Sequence, residues 1–152
     1  MVIEKEELLS IVPHRDRLLL LGRVTGYNLE ERKIEAQSVI TEDCIFYDSA
    51  LKGVPAWVGF EYIAQAISAL TGIRDRENKV PQKFGFILAV SRLQIGLPFF
   101  TTGSIITIRA EEIENIYPVS DFEGEIFVDG KKALGGKITA MEVDNESKKR
   151  FI

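Results

Sequence analysis

Glu61 is the only charged residue between Lys52 and Arg74, set inside the apolar run Gly53–Ile73. A carboxylate in such a run loses its hydration and must be paired, hydrogen-bonded or kept protonated. Kept protonated near neutral pH, it is a general acid. The alternative is a structural glutamate satisfied by a local donor such as Gln65, one turn further on. His14 is the only histidine, and its side chain has the intrinsic pKa of a base that works near neutrality. Beside Pro13 and Arg15 it could equally be a structural hydrogen-bond partner. Tyr47 and Asp48 precede the apolar run; Asp48 could act as a carboxylate base, and either could hydrogen-bond a substrate. Cys44 has no adjacent base and reads as a small hydrophobe. One histidine, one cysteine and no ligand-spaced acidic pairs argue against a metal, and no glycine-rich phosphate loop occurs, so no cofactor is expected.

The elements that must position these groups follow from the hydrophobic pattern. The run opened by Pro55 and closed near Gly72 predicts one long helix, buried on nearly all faces. Ile3–Ile11 predicts a short amphipathic helix ended by Pro13. Leu18–Tyr27 and Lys33–Ile40 predict two strands around a turn at Asn28–Glu31. After the helix, 74–83 reads as a charged surface loop. Phe84–Ile95, Ser104–Ile113, Val119–Val128 and Lys132–Val143 then predict four more strands. Asp129-Gly130 is a strong hairpin signal, because both turn positions require positive φ. Gly135-Gly136 inside the last strand predicts a bulge or a close approach. Asp144–Ile152 is a charged tail, expected to fray. The pattern is α+β: one antiparallel sheet of about six strands wrapped around one long central helix, as a single domain over residues 1–152.

Composition narrows the function. The chain has 152 residues, 45% hydrophobic and 28% charged, with a net charge of −4. No basic face is concentrated enough for nucleic acid. A single cysteine fits a reducing, cytoplasmic setting. The N-terminus is acidic and amphipathic, unlike a signal peptide. The long apolar run is read as a core helix and not a membrane span, because a central carboxylate costs about 2.5–3.5 kcal/mol on insertion scales.

Two motifs carry a resemblance. Ile11-Val12-Pro13-His14-Arg15, followed by Leu18-Leu19-Leu20-Leu21-Gly22-Arg23-Val24, resembles the "LPHR…MLLVDRV" opening of FabZ-type β-hydroxyacyl-[acyl-carrier-protein] dehydratases. Glu61-Tyr62-Ile63-Ala64-Gln65 resembles their "EAMAQ" helix motif. The stretch Pro55–Gln65 is similar to a divergent branch of that family, including members from aryl-polyene pigment clusters. The resemblance implies a hotdog fold, with sites at the interface of a homodimer, and family members often assemble into hexamers. A hetero-oligomer with a related dehydratase is a further partner arrangement. The implied substrate is a β-hydroxyacyl thioester on acyl carrier protein or CoA, and the product a trans-2-enoyl thioester.

The resemblance implies Glu61 as the acid. In FabZ enzymes the histidine of the opening motif is not the usual catalytic one, so His14 is the base candidate only as the single histidine of the chain. Tyr47 and Asp48 are further catalytic candidates by their place in the loop. Pro55, Trp57, Gly59, Gln65 and Phe86 are the substrate-binding candidates: Gly59 through a backbone amide aimed at the thioester oxygen, Trp57 and Phe86 as core aromatics of which one or both could line an acyl tunnel. Gly59 is equally readable as close helix–sheet packing. The departure is in the loop. FabZ enzymes carry a base histidine in a "GHFP" loop about fourteen residues before the glutamate; that count arrives at Tyr47, and no histidine is there. The chain also has Pro55-Ala56 where FabZ has Pro-Gly. Two rivals therefore stand beside the dehydratase: an acyl thioesterase in which the helix carboxylate activates water, and a catalytically impaired acyl-binding subunit that pairs with an active dehydratase.

Overall fold

The computed structural model describes residues 2–143. The expected tail at 144–152 lies outside them. Strand β1 (Ile3–Glu4) leads into a one-turn helix α1 (Lys5–Leu8), and a 3-10 turn follows at Asp16–Leu18. Strands β2 (Arg23–Asn28) and β3 (Lys33–Val39) form a hairpin. Next come β4 (Gly53–Pro55), a 3-10 turn at Ala56–Val58 and the long helix α2 (Gly59–Glu77). Strands β5 (Phe84–Ile95), β6 (Phe99–Thr101), β7 (Ile105–Ile116), β8 (Val119–Val128) and β9 (Lys131–Val143) complete the fold.

Seven strands make one antiparallel sheet in the order β1-β2-β3-β7-β8-β9-β5, and β4 pairs with β6 separately. The sheet curls around α2, which lies across β3, β7 and β8. Alternation dictates which side chains meet the helix. Ile34 and Ala36 on β3, Ile106, Ile108 and Ala110 on β7, and Phe122 and Ile126 on β8 are buried inward. Tyr62, Ile63, Ala66, Ala69, Leu70 and Ile73 answer from the helix. At one end the inward rows turn polar, with Glu112 on β7 and Ser120 on β8, both buried. The β8–β9 turn is the expected one, Asp129 at φ 51° and Gly130 at φ 75°.

Four expectations are corrected. The helix expected over Ile3–Ile11 is only Lys5–Leu8, because Ile3 pairs in the sheet with Val24. The strand expected from Leu18 starts at Arg23; Leu20 and Leu21 instead donate their backbone N–H groups to Gln65 Oε1, at 2.8 and 3.3 Å. The surface loop expected over 74–83 holds only for 78–83, because 74–77 is the last turn of α2. Arg74 pairs there with Glu112 and Glu142, and the buried Asp75 pairs with Lys83. The helix is also not buried on nearly all faces: Glu61, Ala64, Ser68 and Thr71 form a half-buried stripe. The expected close approach is at Gly135, where a Cβ would meet the Lys132 side chain, while a Cβ at Gly136 would make ordinary contact with the Ser91 carbonyl oxygen and the Phe60 ring. Across from the pair, β5 is irregular between Ser91 and Gln94.

Gly72 shows why a small residue is required on the other face. A Cβ there would fall inside the van der Waals envelope of the Ile11 carbonyl oxygen and 2.8 Å from Ile11 Cγ2. Gln82 Nε2 donates to that same carbonyl, which pins the segment leading to His14.

Candidate active site

The half-buried stripe of α2 faces β9 and β5, which the helix does not cover. Between them runs a cleft of about 230 Å³, lined by His14, Glu61, Ala64, Ile67, Ser68, Thr71, Phe86, Phe122, Ile138, Met141 and others. His14 Nε2 stands 3.5 Å from Glu61 Oε1. The helix puts Glu61 in its first turn, and the segment after Pro13 carries His14 across to it.

Gln65 makes this pairing reproducible. It is fully buried. Its Oε1 accepts from Leu20 and Leu21, and its Nε2 donates to the Leu18 carbonyl (2.7 Å) and to Glu61 Oε1 (3.0 Å). The two backbone donors fix the amide's orientation, so Nε2 must face the carboxylate. One side chain thus ties the Leu18–Leu21 segment to the helix and holds one oxygen of Glu61, leaving Oε2 for chemistry. Gln65 is therefore not open to substrate as expected; every polar atom it has is spent inside the protein.

The expected desolvation of Glu61 is not met within the single chain, where its side chain is 41% exposed at the cleft mouth. His14 is more enclosed. Burial lowers its pKa below 6.5, the Glu61 carboxylate pulls it back up, and Arg15 adds to the lowering. Its Nδ1 is buried with no hydrogen-bond partner among the described residues. Because the folded chain holds this proton less tightly than the unfolded chain, unfolding takes a proton up below 6.5. His14 therefore costs stability progressively as pH falls through 6.5 and costs nothing well above it. The expected result is that His14→Gln flattens this part of the decline in urea-unfolding free energy between about pH 7.5 and about pH 5.5. An equal decline in both proteins would contradict it.

The other expected site residues are dispersed. Asp48 Oδ1 accepts from the backbone of Ala50 (2.9 Å) and Leu51 (3.3 Å), closing a turn beside the bridge to Gly53. Tyr47 donates its backbone N–H to the Cys44 carbonyl. Neither lines the cleft. Trp57 is exposed, edge-on to Phe46 at 6.2 Å. Pro55 sits in β4, opposite Phe99. Gly59 is buried against Leu134 and Ile126, the packing reading of that glycine, since a Cβ would collide with the Leu134 side chain. Phe86 alone of the expected contacts joins His14 and Glu61. On the opposite side of α2, burial pushes the Tyr62 phenol far up, and its hydroxyl meets Cys44 Sγ at 3.9 Å. Ala64, Ser68 and Thr71 were missed. Their spacing from Glu61, at i+3, i+7 and i+10, is the helical stripe that could have found them. Among the described residues, no helix is long and apolar enough to cross a membrane.

A single antiparallel sheet curled on one long helix, with an imidazole and a carboxylate meeting at the mouth of an apolar cleft, defines the hotdog class. Residues 6–151 match the ApeP-like family of ApeP dehydratases. The chain belongs to that family. A 3-hydroxyacyl-[acyl-carrier-protein] dehydratase FabZ from Chlamydia caviae is 34% identical over 116 residues, 72% of each chain. Among solved structures, the dehydratase heterocomplex ApeI:P from Xenorhabdus doucetiae matches with a TM-score of 0.86 at 22% identity, over 95% of both chains. A hypothetical thioesterase with coenzyme A from Streptococcus pneumoniae TIGR4 matches less well, with a TM-score of 0.60 at 9% identity over 90% of this chain and 91% of that one. The family therefore sides with dehydration over thioester hydrolysis.

Proposed function

We propose that the protein eliminates water from a β-hydroxyacyl thioester carried on acyl carrier protein, or on CoA, to give the trans-2-enoyl thioester. The 3.5 Å approach of His14 Nε2 to Glu61 Oε1 carries this reading. His14, kept neutral by burial, removes the α-proton through Nε2. Glu61 gives its proton to the β-hydroxyl, which leaves as water as the double bond forms. The resulting imidazolium and carboxylate stand side by side, so the proton can return across the gap and reset the pair. This makes the chain active without a histidine at Tyr47.

For Nε2 to accept a proton, the neutral ring must carry its other proton on Nδ1. That buried atom finds no partner among the described residues. The edge of β5 supports a site shared with a second subunit. Ile87, Leu88, Val90, Leu93 and Ile95 are exposed along it, and among the described residues its outer backbone edge has no neighbouring strand. Edge-to-edge pairing of β5, with a second copy or with a related dehydratase, would continue the sheet. Tyr47 and Asp48, absent from the chain's own cleft, could then serve the partner's. This keeps the second reading, an acyl-binding subunit of a hetero-complex, in the test.

The purified protein is incubated with β-hydroxyacyl carrier-protein substrates while enoyl product and free thiol are followed together. Enoyl formation is expected, falling about 10²–10⁴-fold in Glu61→Gln and in His14→Gln. Thiol release would establish a thioesterase instead. Neither product, with acyl carrier protein still bound, would establish the impaired subunit.

A further inference from the structure

The cleft has two chemically different ends. At its mouth stand His14 and Glu61. From Glu61 the helix stripe runs to Thr71, a rise of about 15 Å at about 1.5 Å per residue. Phe86, Phe122 and Ile138 keep the middle apolar. Then the apolar lining stops. Lys83 Nζ lies 3.8 Å from Glu142 Oε2, with both residues on the cleft wall, and Arg74 lies 3.4 Å from Glu142 Oε1.

This far end is anchored. Arg74 also bonds the buried Glu112, and Lys83 also pairs with the buried Asp75. The two cations are thus held from behind by inner carboxylates. Burial raises the pKa of Glu142 against the pull of Arg74 and Lys83, the mark of a carboxyl already short of water. A hydrocarbon tail pressed against it would strip the remaining water and return no hydrogen bond.

We propose that the Lys83–Glu142 pair is the end wall of the acyl cleft and sets the longest chain it accepts, with Glu142 the specificity-determining residue. This rests on the dehydratase reading only for the direction in which the acyl chain enters. An extended hydrocarbon chain, with C–C bonds of about 1.52 Å at near-tetrahedral angles, advances about 1.25 Å per bond, so roughly a dozen bonds fit before the wall.

Glu142→Met tests the wall while orphaning neither cation, since Lys83 keeps Asp75 and Arg74 keeps Glu112. Saturated acyl chains of increasing length on acyl carrier protein, which cannot lose water, are titrated against wild type, Glu142→Met and Glu142→Gln. Wild-type affinity is expected to rise with length and then stop rising. In Glu142→Met the longer chains bind about tenfold tighter than in wild type and the shorter ones unchanged. Glu142→Gln, still polar, keeps the wild-type profile. Following enoyl product over the matching β-hydroxyacyl series, the methionine variant lowers KM for long chains. Identical length profiles in all three proteins, or no binding of any chain, overturn the end wall. A shifted binding profile without enoyl product from wild type at any length upholds the wall and overturns the dehydratase reading, so the two fail separately.

Discussion

Replacing Gln65 by leucine is expected to lower the unfolding free energy by about 3 kcal/mol or more, the sum over groups worth about 1–3 kcal/mol each. Leucine fills most of the volume, so the loss is not chiefly a cavity. It comes from the two N–H groups of Leu20 and Leu21 and the carbonyl of Leu18, which meet the buried Gln65 amide and nothing else among the described bonds. For a chain of this length, about 3 kcal/mol corresponds to a fall in Tm of roughly 6–12 °C. Activity should fall further than stability explains, because Nε2 also holds Glu61 Oε1. At a temperature where the variant is fully folded, enoyl formation should still be reduced, with kcat affected more than KM. A folded variant with wild-type kcat would show that Gln65 is only structural. Gln65→Glu separates the two roles, since it keeps the acceptor for Leu20 and Leu21 but sets a second carboxylate against Glu61.

Gly72→Ala is the second large effect, and its sign runs against helix propensity. In an exposed helix interior, glycine to alanine stabilises by about 1 kcal/mol. Here the new methyl meets the Ile11 carbonyl and Ile11 Cγ2, and backbone cannot rotate aside as a side chain can. Overpacking of this kind costs about 1–3 kcal/mol, so a net destabilisation is expected in urea unfolding. The displaced segment is the one that carries His14 three residues later, so the separation of His14 and Glu61 should widen and catalysis should drop with it. A variant as stable as wild type would mean that the helix and the Ile11 segment yield to each other easily.

The fold was legible where local pattern and burial coincide. β7 and β8 alternate, and each buried position is an alternate one. Asp129-Gly130 turned the chain because no bulkier pair adopts both positive φ values readily. Glu61 stood out because a lone charge in an apolar helix must have a reason. His14 stands 3.5 Å from it within the one chain, although nothing local in the sequence announces that pairing. The illegible parts depend on groups far apart in the chain. Gln65 looked like a substrate contact because sequence cannot show that three backbone groups some forty-five residues upstream use it. Lys83 read as part of a charged surface loop, because the pairing of β5 with β9 that brings it beside Glu142, Gly85 opposite Glu142, is invisible to periodicity. Tyr47 and Asp48 were placed by counting alone, and the turn that Asp48 closes is satisfied within its own loop.

The two irregularities of β5, at Ile87/Ala89 and at Ser91/Gln94 with Arg92 at φ 53°, have a bearing on how growth of the sheet ends. A fibril repeats one flat, in-register spacing from chain to chain, and each added strand must offer the next the same ladder. A bent edge offers only short runs of regular donors and acceptors, so it suits one shaped counterpart and resists a queue of identical ones. At the opposite border β1 is two residues long, too brief to seed anything. The molecule can thus keep a sticky apolar margin available for assembly while remaining terminated, as a hook does and a zipper does not.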